Sequence, residues 1–222
     1  IIYPGFNKTL SELNAISKIK KKSCEIVDLT EIEWVRDVLR HRVEEVGTYD
    51  IKFRKPTDEE IKSVSEIVGA DINIDELKNN FHKNKRIIGI TSGKGGVGKS
   101  TITSLLGIAF DELGKKVGIM DSDIWGYSVP KILGAKFPPI PFNERIFPSR
   151  INNLNVISMD YFVKQDEAVI WRGPMLHKAI EQFLFEVLWH DIDVLLIDMP
   201  PGTGDVSTVS YTHLRAHETQ RY

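Results

Sequence analysis

Gly93-Lys94-Gly95-Gly96-Val97-Gly98-Lys99-Ser100 is the stretch whose reading decides the fold. It spells glycine, four residues, glycine, lysine, serine. Glycines let the backbone curl until several N–H groups converge on one anion. The apolar run Ile87-Ile88-Gly89-Ile90 leads into it, and a helix expected from Lys99 to Leu113 leads out and stops at Gly114. That context is what the motif needs, because a helix N-terminus adds partial positive charge beside the anion. The spacing assigns Lys99 to the β- and γ-phosphates of a nucleoside triphosphate and the Ser100 hydroxyl to Mg²⁺. Gly93, Lys94, Gly95, Gly96, Val97, Gly98 and Thr101 complete the expected nucleotide contact, with ATP as the expected ligand. The competing reading is a plain glycine-rich turn between strand and helix. Lys94 also has two readings: a solvated loop charge, or a cation that neutralises charge in the transition state as an arginine finger does.

Working outward, Val117-Gly118-Ile119-Met120 reads as a strand ending at Asp121 and Asp123, and Asn155–Met159 as a third strand. Pro174 opens a helix through Leu188, and Val194–Ile197 is a fourth strand ending at Asp198. Strands alternating with helices predict an α/β fold, a doubly wound parallel sheet with its site at the carboxyl ends of the strands. A carboxylate there can hold Mg²⁺, directly or through water, or orient an attacking water. Asp123 and Asp198 are the candidates for that work, and Asp121 shares the choice. The alternative for each is a helix cap or a solvated strand end. Asp198 is followed by Met199-Pro200-Pro201-Gly202-Thr203-Gly204-Asp205, a Walker-B type arrangement, which puts the Gly202 N–H where it can sense a γ-phosphate.

Together these residues resemble the deviant Walker A ATPases, the group that contains MinD, ParA and the nitrogenase iron protein. Lys94 carries the deviation. Within the group the sequence is most similar to the Mrp/ApbC family of iron–sulfur cluster carriers. The likeness rests on the loop, on Met120 to Pro130, on Trp171-Arg172-Gly173-Pro174 and on Asp198 to Asp205, and runs roughly from 86 to 207. The resemblance implies a cytoplasmic homodimer closed over its nucleotides, with Lys94 acting across the interface on the partner's nucleotide. It places Asp123 in a first switch and Asp198 to Gly202 in a second. It implies ATP hydrolysis coupled to assembly or transfer of a 4Fe-4S cluster to apoproteins with assembly factors, the cluster being expected only in the full-length protein. Nucleic acid and membrane are not among the implied partners. A positioning switch of the MinD or ParA kind, acting on a membrane or DNA, is the alternative. The sequence departs from the family at Trp125-Gly126-Tyr127-Ser128, where Tyr-Gly-Pro-Ser is usual.

Residues 1–55 read as a small α+β domain of the iron–sulfur assembly type, 56–85 as a helical linker, 86–209 as the ATPase domain, truncated, and 210–222 as a non-native tail. In the first domain Asn7–Ile16 has helix-like spacing, Cys24–Leu29 and Tyr49–Phe53 read as strands, and Thr30 is the expected cap of the helix between them. The related domain often carries a cysteine near Thr30; this sequence has none. Thr57 and Glu60 form a capping box. Phe137 to Phe142 is apolar and proline-rich, and reads as a rigid surface loop or a partner-docking loop. The chain begins with Ile1 rather than Met, as a fragment or trimmed product would. With the family's later strands absent, apolar faces of the 99–113 helix and of the 194–197 strand are expected to be under-covered.

The 222 residues are 41% hydrophobic and 27% charged, with net charge -2. This balance gives no basic field toward nucleic acid or anionic membrane, and no run approaches the roughly 20 apolar residues of a membrane helix. The single cysteine, Cys24, excludes an internal disulfide and a self-contained zinc or iron–sulfur site. It is expected to be a buried structural thiol. His213 and His217 lie in the tail and are assigned no role.

Overall fold

A computed structural model describes residues 1–20, 22–81, 85–123, 126–162, 174–189 and 192–202. Trp125, Trp171-Arg172-Gly173, Thr203 to Asp205 and the 210–222 tail lie outside the described residues. In chain order the elements begin with β1 (Ile16–Lys20), β2 (Ser23–Val27), α1 (Glu33–Glu44), β3 (Asp50–Arg54), α2 (Asp58–Val68) and α3 (Ile74–Asn80). There follow β4 (Arg86–Ile90), α4 (Lys99–Glu112), β5 (Val117–Asp121), α5 (Val129–Leu133), β6 (Ile140–Phe142) and β7 (Arg145–Phe147). The last are β8 (Ser149–Ile151), β9 (Leu154–Ser158), α6 (Pro174–Phe185) and β10 (Val194–Asp198). Two compact units result: Ile1–Ile72 with Ile140–Phe147, and Asn73–Pro139 with Pro148–Tyr222.

The first unit is a three-stranded sheet in the order β1-β2-β3, with β1 antiparallel and β3 parallel to β2. Helix α1 buries Val35, Leu39 and Val43. The expected helix over Asn7–Ile16 is instead a run of turns. Asn7 and Asn14 adopt left-handed φ of 53° and 51°, a conformation asparagine tolerates but a helix does not. Leu10, Leu13 and Ala15 are nonetheless buried, so the apolar spacing reports burial correctly and the backbone period wrongly. Thr30 does not cap α1, which starts after Ile32 with no side-chain cap. The neighbouring turn is organised by Asp28, whose carboxylate accepts from Thr30 N and Glu31 N and pairs with Arg36. Cys24 is buried, and burial pushes its thiol pKa up.

Two further segments differ from the sequence reading. The stretch 56–85 is not one linker: α2 belongs to the first unit, where Val64 and Val68 are buried, and α3 to the second. Its polar outer face gives it a linker-like composition. The Phe137–Phe142 segment is not a surface loop throughout, since Ile140 and Phe142 are 1% and 5% exposed. They form β6, which pairs with β7 around Asn143 and Glu144, both at positive φ, as a two-residue hairpin turn requires. Phe6 packs against Phe142 and Phe147 with ring centroids 5.1 and 4.3 Å away. The hairpin thus completes the core of the first unit from a distant part of the chain.

In the second unit one five-stranded sheet runs β4-β10-β5-β9-β8, parallel from β4 to β9 with β8 antiparallel at its edge. The parallel, helix-covered arrangement is the α/β fold read from the sequence. Register aligns Ile90 of β4, Asp198 of β10 and Asp121 of β5, so the carboxyl ends of three strands meet at one level. The 194–197 strand is buried throughout, contrary to expectation: it runs in the middle of the sheet between β4 and β5, and α4 packs over it. The outer face of α4 does remain bare, with Ile102 52%, Leu105 56% and Ile108 41% exposed. Among the described residues no helix is long and apolar enough to cross a membrane.

Two measurements probe this packing. Arg54 clasps both Glu60 oxygens, and that pair, with the Thr57 N–H, holds the Glu60 carboxyl at about 2. Its folded pKa lies below the unfolded one, so it stabilises the protein above about pH 4.5 and the contribution is lost as pH falls through about 2. Glu60→Gln keeps the capping box and removes the ion pair. It should cost about 1 kcal/mol at pH 7, an exposed-pair magnitude, with the melting-temperature difference from wild type vanishing toward pH 2. Separately, a Cβ at Gly107 would lie 2.6 Å from Ile119 Cδ1. Gly107→Val should therefore destabilise by about 1–3 kcal/mol through overpacking, read from denaturant unfolding.

Candidate functional site

The glycine loop leaves β4 and enters α4 through Gly96 and Gly98, whose φ values are 72° and 88°. L-residues with side chains rarely adopt these angles, so glycine is demanded at both positions. Gly98 is the helix N-cap and offers no side chain, which leaves the first amides of α4 without a side-chain cap and facing the loop. Gly93 and Val97 are exposed on the loop, and Lys94 is exposed beside them. A cavity of about 500 Å³ opens here, bordered by Gly95, Gly96, Gly98, Lys99, Ser100, Thr101, Asp123 and Pro201. That is room for a nucleotide-sized ligand.

Four of the expected site residues converge at and beneath its wall. Lys99 Nζ lies 3.1 Å from Asp198 Oδ1 and 3.4 Å from Asp123 Oδ2. The Ser100 hydroxyl donates to Asp198 Oδ2 at 2.5 Å. Asp198 is 0% exposed and Asp123 only 7%. A buried carboxylate without a cation and donors would be strongly destabilising; here the lysine and two hydroxyls supply them, the second being Thr103, 3.2 Å from Oδ1. Gly202, at φ 91°, directs its N–H to Ser92 O at 2.9 Å. In this state that amide binds the start of the loop rather than facing the cavity.

Asp121 takes the capping alternative. It is fully buried, and its Oδ2 accepts from Ser128 N, Val129 N and Ser158 Oγ at 3.1–3.2 Å, while Oδ1 accepts from Asp123 N. The carboxylate thus fastens both ends of the 122–128 loop and the start of α5. Burial, followed by the charge of Asp198, pushes its pKa up to about 7, against the pull of the three backbone amides. Ser122 adds a second fastening: its N–H and its hydroxyl both donate to the Asp198 carbonyl, at 3.0 and 2.8 Å. Thr103, Ser122, Ser128 and Ser158 escape sequence reading because lone hydroxyls carry no spacing signature. The one usable signal is Thr103's place, one helical turn after Lys99.

The oxygen donors Ser100, Asp123 and Asp198 suit a hard divalent cation such as Mg²⁺, which takes one or two carboxylates and keeps water and phosphate for its remaining positions. Among the described residues no group of three or more His, Cys, Asp or Glu forms an all-protein metal site.

The iron–sulfur cluster carrier protein of Mycobacterium leprae is 48% identical over 122 residues, 55% of this chain and 32% of that protein. The iron–sulfur cluster carrier protein of Helicobacter pylori is 34% identical over 212 residues, 92% of this chain and 56% of that protein. The chain thus spans between a third and little more than half of these relatives' length. Among solved structures, a nucleotide-binding protein of Archaeoglobus fulgidus in complex with ADP is similar at 32% identity and a TM-score of 0.52, over 65% of this chain and 56% of that one. The family described as ParA, NUBPL iron-transfer P-loop NTPase, matches residues 83–219, so the likeness extends beyond 86–207 and into the 210–222 stretch expected to be a non-native tail. With its glycine loop, parallel sheet and clustered carboxylates, the chain belongs to the NUBPL iron-transfer family of P-loop NTPases.

Proposed function

We propose that this chain binds ATP with Mg²⁺ and hydrolyses it, and that the longer protein uses the cycle to carry a 4Fe-4S cluster to apoproteins. The observation that carries the reading is the Lys99–Asp198–Ser100 cluster beneath the glycine loop. Lys99 and the loop amides hold the phosphates, and the Ser100 hydroxyl with Asp123 and Asp198 would hold the cation. When bound, Mg²⁺ supplies Lewis-acid neutralisation of phosphate charge. Asp123 and Asp198 also lie where a carboxylate orients an attacking water. Lys94, exposed at the loop's entrance, is assigned in this reading to the nucleotide of a second chain in a homodimer.

The cluster is cargo in this reading. A 4Fe-4S cluster takes about four thiolates, and this sequence holds only Cys24, buried in the first unit. The cluster ligands are therefore assigned to the longer protein, of which the named relatives are examples.

Lys99→Ala should abolish binding of a fluorescent ATP analogue. Lys94→Ala should keep that binding while turnover falls by about 10³-fold, the scale of a transition-state cation. Turnover unchanged in Lys94→Ala would make this lysine a solvated charge, and binding unchanged in Lys99→Ala would overturn the ATPase reading. For the cargo, anaerobic reconstitution of this chain with iron and sulfide, followed by absorbance and iron counting, should yield no cluster. A stable cluster near one per two chains would overturn the assignment of the ligands to the longer protein.

A further inference from the structure

We infer that Thr103 is a positioning residue that keeps the Asp198 carboxylate aimed at the cation site while the other donors leave it; this deepens the nucleotide reading above and rests on it. Three side chains donate to Asp198: Lys99 at 3.1 Å and Thr103 at 3.2 Å on Oδ1, and Ser100 at 2.5 Å on Oδ2. They are not equivalent. Lys99 and Ser100 border the cavity, and both have work to do on an arriving ligand, the ammonium on phosphate and the hydroxyl on the cation. Thr103 is 0% exposed, sits one turn deeper in α4 and does not border the cavity. It has no ligand to turn to.

The threonine hydroxyl has two acceptors in reach, Lys99 O at 3.0 Å and Asp198 Oδ1 at 3.2 Å. A backbone carbonyl four residues back is the ordinary resting place of a helical threonine hydroxyl. When Lys99 moves to phosphate, Oδ1 loses its cation and becomes the stronger acceptor, since a hydrogen bond to an ionised group is roughly twice as strong as a neutral one. The hydroxyl then bonds Oδ1 and fixes the carboxylate rotation, which leaves Oδ2 facing Ser100 and the cation. The Asp198 backbone cannot compensate by moving: it is held in β10 between two strands, and its carbonyl receives both donors of Ser122.

The experiment compares wild type, Thr103→Val and Thr103→Ser in the full chain. A fluorescent ADP analogue is titrated with Mg²⁺ and again with EDTA, and the ratio of the two affinities is the readout; melting temperature is measured alongside. Valine keeps the shape and loses the hydroxyl, so the Mg²⁺ enhancement should fall about tenfold, the worth of one hydrogen bond to a charged group. Affinity in EDTA should stay within about twofold. Serine should restore the enhancement. An unchanged enhancement in Thr103→Val overturns the inference. So does an equal loss with and without Mg²⁺, or a loss that serine does not restore, because either marks a packing role. A wild-type chain that binds no nucleotide overturns the underlying reading instead, and the inference with it.

Discussion

Two carboxylates that share a level at neighbouring strand ends and reach no solvent set the terms for the second unit. Asp121 and Asp198 are paired in register on β5 and β10, and both are 0% exposed. Charge buried without partners costs several kcal/mol per ion, so each carboxylate dictates what surrounds it. Asp198 draws in Lys99, Ser100 and Thr103, all from the first two turns of α4, and so sets where that helix begins. Asp121 draws in the amides of Asp123, Ser128 and Val129, and so sets the shape of the 122–128 loop and the start of α5. The glycine loop connects β4 to a helix start whose place is already decided. Its left-handed turns at Gly96 and Gly98 are the backbone's answer to that short span.

The same cluster gives physical content to coupling between cation and nucleotide. In the structure Lys99 serves as counter-ion to Asp198 and, at longer range, to Asp123. A phosphate that claims this lysine leaves buried carboxylates uncompensated, and a divalent cation arriving with the phosphate restores the balance. On the proposed reading, nucleotide without cation binds against a cost that nucleotide with cation does not meet. Ser122, donating twice to the Asp198 carbonyl, ties the loop after β5 to the end of β10. A displacement at either carboxylate is therefore felt by both loops.

Much of this was legible in the sequence, for reasons that also explain the failures. The loop could be read because glycine, lysine and hydroxyl at fixed spacing answer one demand, several amides and a cation around one phosphate. The strands β5, β9 and β10 could be read because buried strands need largely apolar runs, and β4, an edge strand with no fully buried residue, because Ile87-Ile88-Gly89-Ile90 leads into the glycine loop. The hairpin of β6 and β7 could not: its six strand residues contain Pro141 and Arg145, its turn is Asn-Glu, and its partners in the first unit are some 70 to 140 residues away in sequence. Short strands stabilised by such distant contacts leave little local trace. The N-terminal turns failed in the opposite way, since Leu10 and Leu13 show helical spacing while Asn7 and Asn14 carry the left-handed geometry that breaks the helix. Phe6, Leu10 and Leu13 were core residues either way.

Helix α4 has a pattern that a core helix should not have, and the site accounts for half of it. Its fully buried positions are small or polar, Thr103, Ser104 and Gly107, while Leu106 and Phe110 pack half-buried on the core and Ile102, Leu105 and Ile108 are exposed. An ordinary amphipathic helix buries its large apolar residues most deeply. Here the Ser100 hydroxyl has to come within 2.5 Å of a carboxylate that belongs to the sheet. The most deeply buried residues are correspondingly short, and Gly107 passes so close to β5 that a single added carbon would meet Ile119 at 2.6 Å. Thr103 and Ser104 turn their hydroxyls onto the carbonyls of Lys99 and Ser100, which lets polar side chains be buried there without orphaned donors. The short side chains at the deepest positions of α4 thus follow from the reach of one serine to one aspartate, and the binding chemistry of the loop is written into the packing of the helix that follows it.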